Sequence, residues 1–511
     1  MSLVGSFLEG AAIVVTPRAL AFVFVGVVLG LILGATPGIG PVPGIALLLP
    51  LTINMETWVA LSMLFAIYIG GMYGGALTAI LLNVPGTAGA IASTFDGYPF
   101  SLRGEARYAI QISVLASAFG TMLSALLLIL AVPILVEVIA LFGTPEYALV
   151  AIFGLTIIPL VSQYSMSKAL LMGGFGTLLS TVGIPVMSGT ARYSLGVLDL
   201  NDGLAFVPIL LGIFAIAEMI KLTPYEGALG DSYADADPDT ARGADSTGAE
   251  LLDRSQEILV RNPVTCLRSV LTAIVIGFIP AAGGAVSNIL AYAMEKATAS
   301  NAETFGTGDV RGVISAESAN SGTIASTLVP LLAFGIPGSP TAAVILGGML
   351  MHGLNPGPGL FQESVHLSYA TFVVVGIGGL FLIAVGILTA TQMTRLTRLE
   401  MTMIVPPVVV LCVVGSYALS ISIVDVAQAV GAGLLGYLAI KYNYSIVGFI
   451  MGLILGPIIE ENVHRSFALG DAGIFVETPL RAILVLLIAG SLVGPVLVQL
   501  RRRRSTPAER S

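Results

Sequence analysis

Apolar runs of about 20 residues, the length a helix needs to cross a bilayer, follow one another along almost the whole chain. The clearest occupy 106–132, 144–161, 203–222, 366–392, 403–423, 444–459 and 479–500. Interrupted or shorter runs lie at 20–53, 57–83, 167–183, 263–295, 312–353 and 425–439. Lipid offers a bare backbone no hydrogen-bond partner, so such segments must fold as helices, and about 11 to 13 crossings are expected. Composition removes the soluble alternative: 56% of the 511 residues are hydrophobic and 10% are charged, against roughly 25% charged in a soluble domain. The fold expected is all-α and polytopic.

The polar segments organise the chain. Residues 223–262, acidic and rich in small residues, read as a solvent-exposed linker. It divides an N-terminal membrane repeat, 1–222, from a C-terminal one, 263–500. The basic tail 501–511 follows the last span directly, and the excess of arginine there places the C-terminus in the cytoplasm. Lys221, Arg254, Arg261 and Arg268 flank the linker and suggest the same side for it. The first 20 residues lack the basic start and cleavage site of a secretory signal and read as mature protein. Cys266 and Cys412 sit in apolar surroundings and read as buried small hydrophobes rather than a disulfide or metal framework.

Four clusters of helix breakers interrupt the apolar runs: "GATPGIGPVPG" at 34–44, "NVPGTAGA" at 83–90, "GFIPAAGGA" at 277–285 and "GIPGSPTA" at 335–342. Proline inside a helix costs about 3 kcal/mol, and at membrane depth the freed backbone groups are tolerated only where protein or a watery cavity covers them. The breaks fall into two pairs, Pro37 with Pro280 (280 − 37 = 243) and Pro85 with Pro337 (337 − 85 = 252). Each second break is followed by a glycine-bearing turn, "DGYP" at 96–99 or "HGLNPGP" at 352–358. Paired breaks in two halves are the pattern of a secondary transporter's binding site, with two pseudo-symmetric, inverted repeats. A half-helix starting after the break offers free N–H groups and the positive end of its dipole to an anion, and one ending before it offers carbonyls to Na⁺.

Candidate substrate- and ion-binding residues follow from this reading. They are Pro37, Gly38 and Gly40 in the first break, and Asn83, Pro85, Gly86 and Thr87 in the second. The third contributes Gly283 and Asn288, and the fourth Pro337, Gly338, Ser339 and Thr341. Glu317, Asn320, Ser321 and Thr323 join them from the segment before the fourth break. The amides and hydroxyls can meet carboxylate oxygens without the desolvation cost of a buried arginine; Ser, Thr and Asn are also preferred helix caps, and the two roles are compatible. Glu317 is either a functional intramembrane carboxylate or a helix-start acid in the headgroup region.

The strings "FVGVVLGLILGATPGIGPVPGIALLLPLT", "MYGGALTAILLNVPGTAGAIASTFDGYPFSLRGEARYAI" and "GVISAESANSGTIASTLVPLLAFGIPGSPTAAVILGGMLMHGLNPGPGLF" closely resemble the large membrane subunit of the tripartite tricarboxylate transporters. The resemblance extends over nearly the whole chain. It implies uptake of organic carboxylates, of the tricarboxylate and dicarboxylate class, across the bacterial inner membrane. It also implies a periplasmic solute-binding protein and a small four-helix membrane subunit as partners, and a Na⁺ or proton gradient as the drive. No further cofactor and no nucleic acid is implied. An elevator-like movement is expected from the paired breaks. Where the family often carries a Pro-Glu-Ala-Ala-Asn-Asn-like string, this chain has Ala316-Glu-Ser-Ala-Asn-Ser321, with Ser321 in place of the second amide. Two other classes share features with the chain. Broken helices also build channel filters, and "GTGD" at 306–309 matches a short string of intramembrane aspartyl proteases.

Overall fold

A computed structural model of the chain describes residues 3–36, 39–161, 165–185, 189–223, 248–389 and 401–505. The described residues are helical apart from turns and one isolated bridge between Gly183 and Arg192, as the apolar runs require. The first half holds α1 (Leu3–Val14), α2 (Pro17–Ala35), α3 (Pro41–Leu48), α4 (Thr57–Leu82), α5 (Ile91–Leu102), α6 (Ala106–Ala140), α7 (Thr144–Val161) and α8 (Met166–Leu179). A π-helical turn, Leu211–Ile216, joins α9 (Phe206–Leu210) to α10 (Ala217–Leu222). Then come α11 (Gly248–Arg261), α12 (Pro263–Gly277), α13 (Gly283–Thr298), α14 (Val310–Phe334), α15 (Pro340–Met351), α16 (Pro358–Glu363) and α17 (Val365–Thr389). The chain closes with α18 (Met401–Ser420), α19 (Ile423–Lys441), α20 (Ile446–Leu469) and α21 (Pro479–Ser505). Two compact units result, Met1–Glu137 with Ala205–Tyr437, and Val138–Leu204 with Leu438–Ser511.

The larger unit is built on α4 and α14. Every residue of α4 from Val59 to Ile80 and of α14 from Gly312 to Ala333 is buried. A helix with no exposed face belongs at the centre of a bundle. Along α4 lies α2, whose Gly26, Gly30 and Gly34 press on the backbone of Met63, Ile67 and Gly71, while Gly70 and Gly74 return the fit against Val27 and Leu31. Small residues at four-residue spacing let two membrane helices meet backbone to backbone, where dispersion forces are largest. Around α14 the contacts are polar. Ser326 donates to Ala273 O of α12 at 3.1 Å, Ser287 of α13 to Ala319 O at 3.4 Å, and Ser124 of α6 to Gly322 O at 2.6 Å.

That polar lining bears on the crossing count. Six described helices are long and apolar enough to span, or seven if the bent pair Asp253–Arg261 and Pro263–Gly277 is one span, against the 11 to 13 expected. Shorter apolar helices of 10–17 described residues accompany them, among them Pro41–Thr52 and Pro340–Met351, which begin at the breaks. Although α14 is 25 residues long and buried, its serines, threonines, asparagine and glutamate keep it out of the set. Of the expected linker, 248–261 forms α11, and 224–247 lies outside the described residues. The basic tail continues α21 to Ser505.

In the smaller unit, Gly448, Gly452 and Gly456 of α20 meet Ala169, Gly173, Thr177 and Ser180 on and just beyond α8 in the same small-residue manner. Arg481 pairs with Glu146, which is 3% exposed, at 2.5 Å, and Arg192 with Glu460 at 2.6 Å. Both cysteines are buried thiols, as their surroundings implied.

Candidate functional site

The four breaks lie in the larger unit, and their backbones follow two templates. After α2, Thr36 N–H donates to Leu33 O at 3.3 Å, Ile39 N–H donates to Thr36 O at 3.2 Å, and Gly40 takes φ +61°. After α12, Ile279 N–H donates to Ile276 O at 3.0 Å, Ala282 N–H donates to Ile279 O at 3.2 Å, and Gly283 takes φ +49°. All three features recur at the offset of Gly283 from Gly40 (283 − 40 = 243).

The second template ends α4 and α14. Asn83 and Gly335 are left-handed caps with φ +56° and +69°. Behind them Val84 N–H bonds Thr78 O at 3.4 Å, and Ile336 N–H bonds Pro330 O at 3.2 Å, the six-residue closure of a Schellman motif. Gly86 N–H then turns back to Gly75 O at 3.1 Å and Gly338 N–H to Thr327 O at 3.3 Å. Each step sits 252 residues from its counterpart (338 − 86). A Cβ on Gly86 would fall 2.8 Å from Gly34 O, and one on Gly338 2.7 Å from Gly277 O. Only glycine admits that approach, which locks each second break against the first break of its own half.

Side chains reach the two second breaks from the opposite half. Tyr68 on α4 and Asn320 on α14 occupy equivalent positions (320 − 68 = 252). The Tyr68 hydroxyl meets Ser339 Oγ at 3.0 Å and Thr327 Oγ1 at 3.3 Å, with Thr341 also in hydrogen-bonding reach. Ser339 at the same time caps α15 by accepting from Ala342 N–H at 3.1 Å. This break is closed: Gly335 to Ser339 are buried and their polar side chains are satisfied.

The other break is not. Asn320 Oδ1 lies against Gly89 and Gly284 beside the Met72 methyl, where a Cβ on Gly284 would come within 2.6 Å. Asn288 Nδ2 donates to Gly89 O. Yet both polar atoms of Asn320, Asn288 Oδ1 and Thr87 Oγ1 are buried without a hydrogen-bond partner among the described residues. Asn83 and Pro85 at its outer edge are exposed. Orphaned amide and hydroxyl atoms thus cluster around 87–89, where buried polar groups are otherwise paired. The adjoining helix starts, α5 and α13, add the positive ends of two dipoles.

Glu317, one turn before Asn320, is wholly buried about two turns into α14, whose start is capped by Asp309, so it is not a helix-start acid. Ser93 of α5 donates to its Oε1, and Ser117 of α6 to its Oε2 at 2.8 Å. Thr323 donates to Asn320 O at 2.5 Å. Ser321 is buried with its hydroxyl unpartnered among the described residues. Pro37 and Gly38 lie outside the described residues.

Two motifs change meaning. The string "DGYP" is not a turn but lies within α5, and the turn on that side comes later, at Gly104 (φ +75°); in the other half the turn is at Gly353 (φ +78°), within "HGLNPGP" as expected. Its Asp96, fully buried, accepts from the N–H groups of Gly306, Gly308 and Asp309 at 2.8 Å each and from the Tyr292 hydroxyl at 2.9 Å. "GTGD" is thus an amide nest for a structural carboxylate, and Asp309 caps α14 through Arg311 N–H at 2.9 Å. Burial raises the affinity of Asp309 for its proton, but the Arg311 side chain, Thr304 and that amide outweigh it and hold the carboxyl below its ordinary range. Tyr68, Ser93 and Ser117 were not singled out in the sequence; nothing local distinguishes them from packing residues.

The tripartite tricarboxylate transporter TctA family pattern matches residues 20–451. The chain is 32% identical over 506 residues, 99% of its own length and 98% of the relative's, to an uncharacterized 52.8 kDa protein in the TAR-I ttuC′ 3′ region of Agrobacterium vitis. It is 29% identical over 231 residues, 45% of this chain and 96% of the relative, to an uncharacterized protein in the TAR-II ttuC′ 3′ region of the same organism. No solved structure matches it.

Proposed function

The chain belongs to the tripartite tricarboxylate transporter TctA family, and on that premise we propose that it imports organic carboxylates of the tricarboxylate or dicarboxylate class, driven by an ion gradient. It is a multi-pass membrane component of a transporter, not an enzyme. In this reading a periplasmic solute-binding protein delivers the substrate and a small membrane subunit completes the complex in the bacterial inner membrane. The halves on either side of the linker act as inverted repeats, and the recurrence of backbone hydrogen bonds at fixed offsets supports that pairing. An elevator-like movement carries the breaks and their ligand.

The observation that carries the proposal is the set of buried, unpartnered atoms on Asn320, Asn288 and Thr87 at the second break. Asn320 Nδ2 and the Thr87 hydroxyl can donate to a carboxylate, the dipoles of α5 and α13 favour negative charge, and no desolvated arginine is needed. Gly86 and Gly338 hold the geometry and Gly40 and Gly283 make the bends, whereas Asn83, Pro85, Pro337, Ser339 and Thr341 serve the backbone or Tyr68.

Reconstitution with the partner subunits tests the proposal. Asn320→Ala removes no existing hydrogen bond, so the variant is expected to insert and melt like the parent while carboxylate uptake falls by at least about tenfold, the effect of one lost hydrogen bond to a charged ligand. Near-normal uptake in Asn320→Ala would assign the break to structure alone. Conductance without a gradient or binding protein would instead make the chain a channel.

A further inference from the structure

We propose that Glu317 is the proton-carrying group that couples carboxylate movement to a proton gradient, an inference that rests on the transport reading above. Glu317 is 0% exposed, and none of the ion pairs among the described residues includes it. Among the described residues its carboxyl oxygens accept hydrogen bonds from two neutral hydroxyls, Ser93 and Ser117. A lone carboxylate in such a place is costly to keep charged, and membrane proteins hold one there where a cation comes and goes. One carboxylate and two hydroxyls that already donate to it make a sparse cage for a metal ion and a sufficient one for a proton.

Position supplies the coupling. Glu317 stands three residues before Asn320 on α14 and therefore on the same helix face. A charged Glu317 repels an anion held at Asn320, and a protonated one does not. Proton and carboxylate thus raise each other's affinity, as linkage demands of two ligands sharing a site. Ser93 extends the link, since it lies on α5, whose start borders the open break. Loading forms one O–H bond on Glu317 from external water; release on the other side returns that proton to water and restores the carboxylate. No oxidant, reductant or second reactant is required.

The other titratable groups around α14 are occupied. Tyr73 of α4 faces Glu317 and its hydroxyl points to Ile110 O at 3.5 Å. Asp96 of α5 is held by three amides and Tyr292 of α13. Glu295 of α13 is paired with Arg268 of α12, and Cys266 of α12 is a buried thiol. None is placed to exchange a proton in step with a ligand at Asn320.

The test uses the assembled transporter in proteoliposomes containing a pH dye, with citrate as the probe carboxylate delivered by the binding protein. Substrate uptake by the parent is expected to carry protons inward and to fall as external pH rises. Glu317→Gln is expected to abolish the proton flux and the pH dependence, and Glu317→Asp to restore both. Removing a donor to the charged form, Ser93→Ala is expected to move the pH midpoint of uptake to more alkaline values. Proton flux in Glu317→Gln equal to the parent's overturns the inference, as does an unmoved midpoint in Ser93→Ala if Glu317→Gln fails to reach the membrane. Uptake that follows Na⁺ with no proton flux in the parent also overturns it and leaves the transport reading standing. Absence of saturable carboxylate uptake in the parent removes the transport reading itself.

Discussion

Asn83 shows how one residue can be read two ways. At a helix break in a transporter it looks like a ligand; in the structure it is an exposed left-handed cap at the position that glycine takes in the other half, Gly335. Asparagine and glycine are the two residues that enter this conformation at little cost, while a β-branched residue there is strained by about 1–2 kcal/mol. Asn83→Gly is therefore expected to leave thermal stability and carboxylate uptake within twofold of the parent, and Asn83→Val to lower the melting temperature in detergent by a few degrees. Loss of uptake in Asn83→Gly at normal stability would return Asn83 to the substrate set. Asp96 makes the complementary point. A buried carboxylate with four donors has no capacity left for a ligand, so burial of an acid in the membrane does not identify a functional acid; its partners do.

At the scale of elements, the breaks are rigid. Gly86 and Gly338 each sit against a carbonyl of the neighbouring helix end, Gly34 and Gly277, and each binds back to its own long helix. A larger side chain at either position must push the break away from the helix it is docked on. Gly338→Leu is expected to abolish uptake while the protein still inserts, since the apolar runs that drive insertion are untouched. Gel filtration in detergent and transport after reconstitution check the two halves of that statement, and uptake above about one tenth of the parent's would show that the docking is dispensable. The same geometry explains why α3 and α15 are short: each begins at a bend made by glycine or capped by serine, so neither reaches spanning length.

At the scale of the whole molecule, charge sets an expectation for orientation. The run Arg501–Arg504 continues the last apolar helix, and a cluster of arginines next to a span is retained on the cytoplasmic side. A green fluorescent protein fused after Ser511 is expected to fluoresce, and alkaline phosphatase fused there to stay inactive; the reverse pattern would overturn the expected cytoplasmic C-terminus. Hydropathy sees α4, but it passes over α14, its counterpart at the centre of the larger unit, because α14 is rich in hydroxyls such as Ser318, which donates to Ala116 O of α6, and Ser326, which donates to Ala273 O of α12.

What the sequence by itself determined was the all-helical membrane fold and the four places where helices must break. Those depend on local chemistry: proline lacks an N–H, glycine accepts positive φ, and neither needs a distant partner to act. The offsets 243 and 252, visible in the prolines, reappear residue for residue in the backbone hydrogen bonds. Tertiary structure decided which side chains meet there. Tyr68 closes the break of the other half and Asn320 leaves its own target open, although the two occupy equivalent positions, because their surroundings differ by contacts more than 200 residues away in sequence. Glu317 finds Ser93 and Ser117 at separations of 224 and 200 residues. Serines of that kind are too common in membrane helices to be distinguished until packing sets them beside a charge.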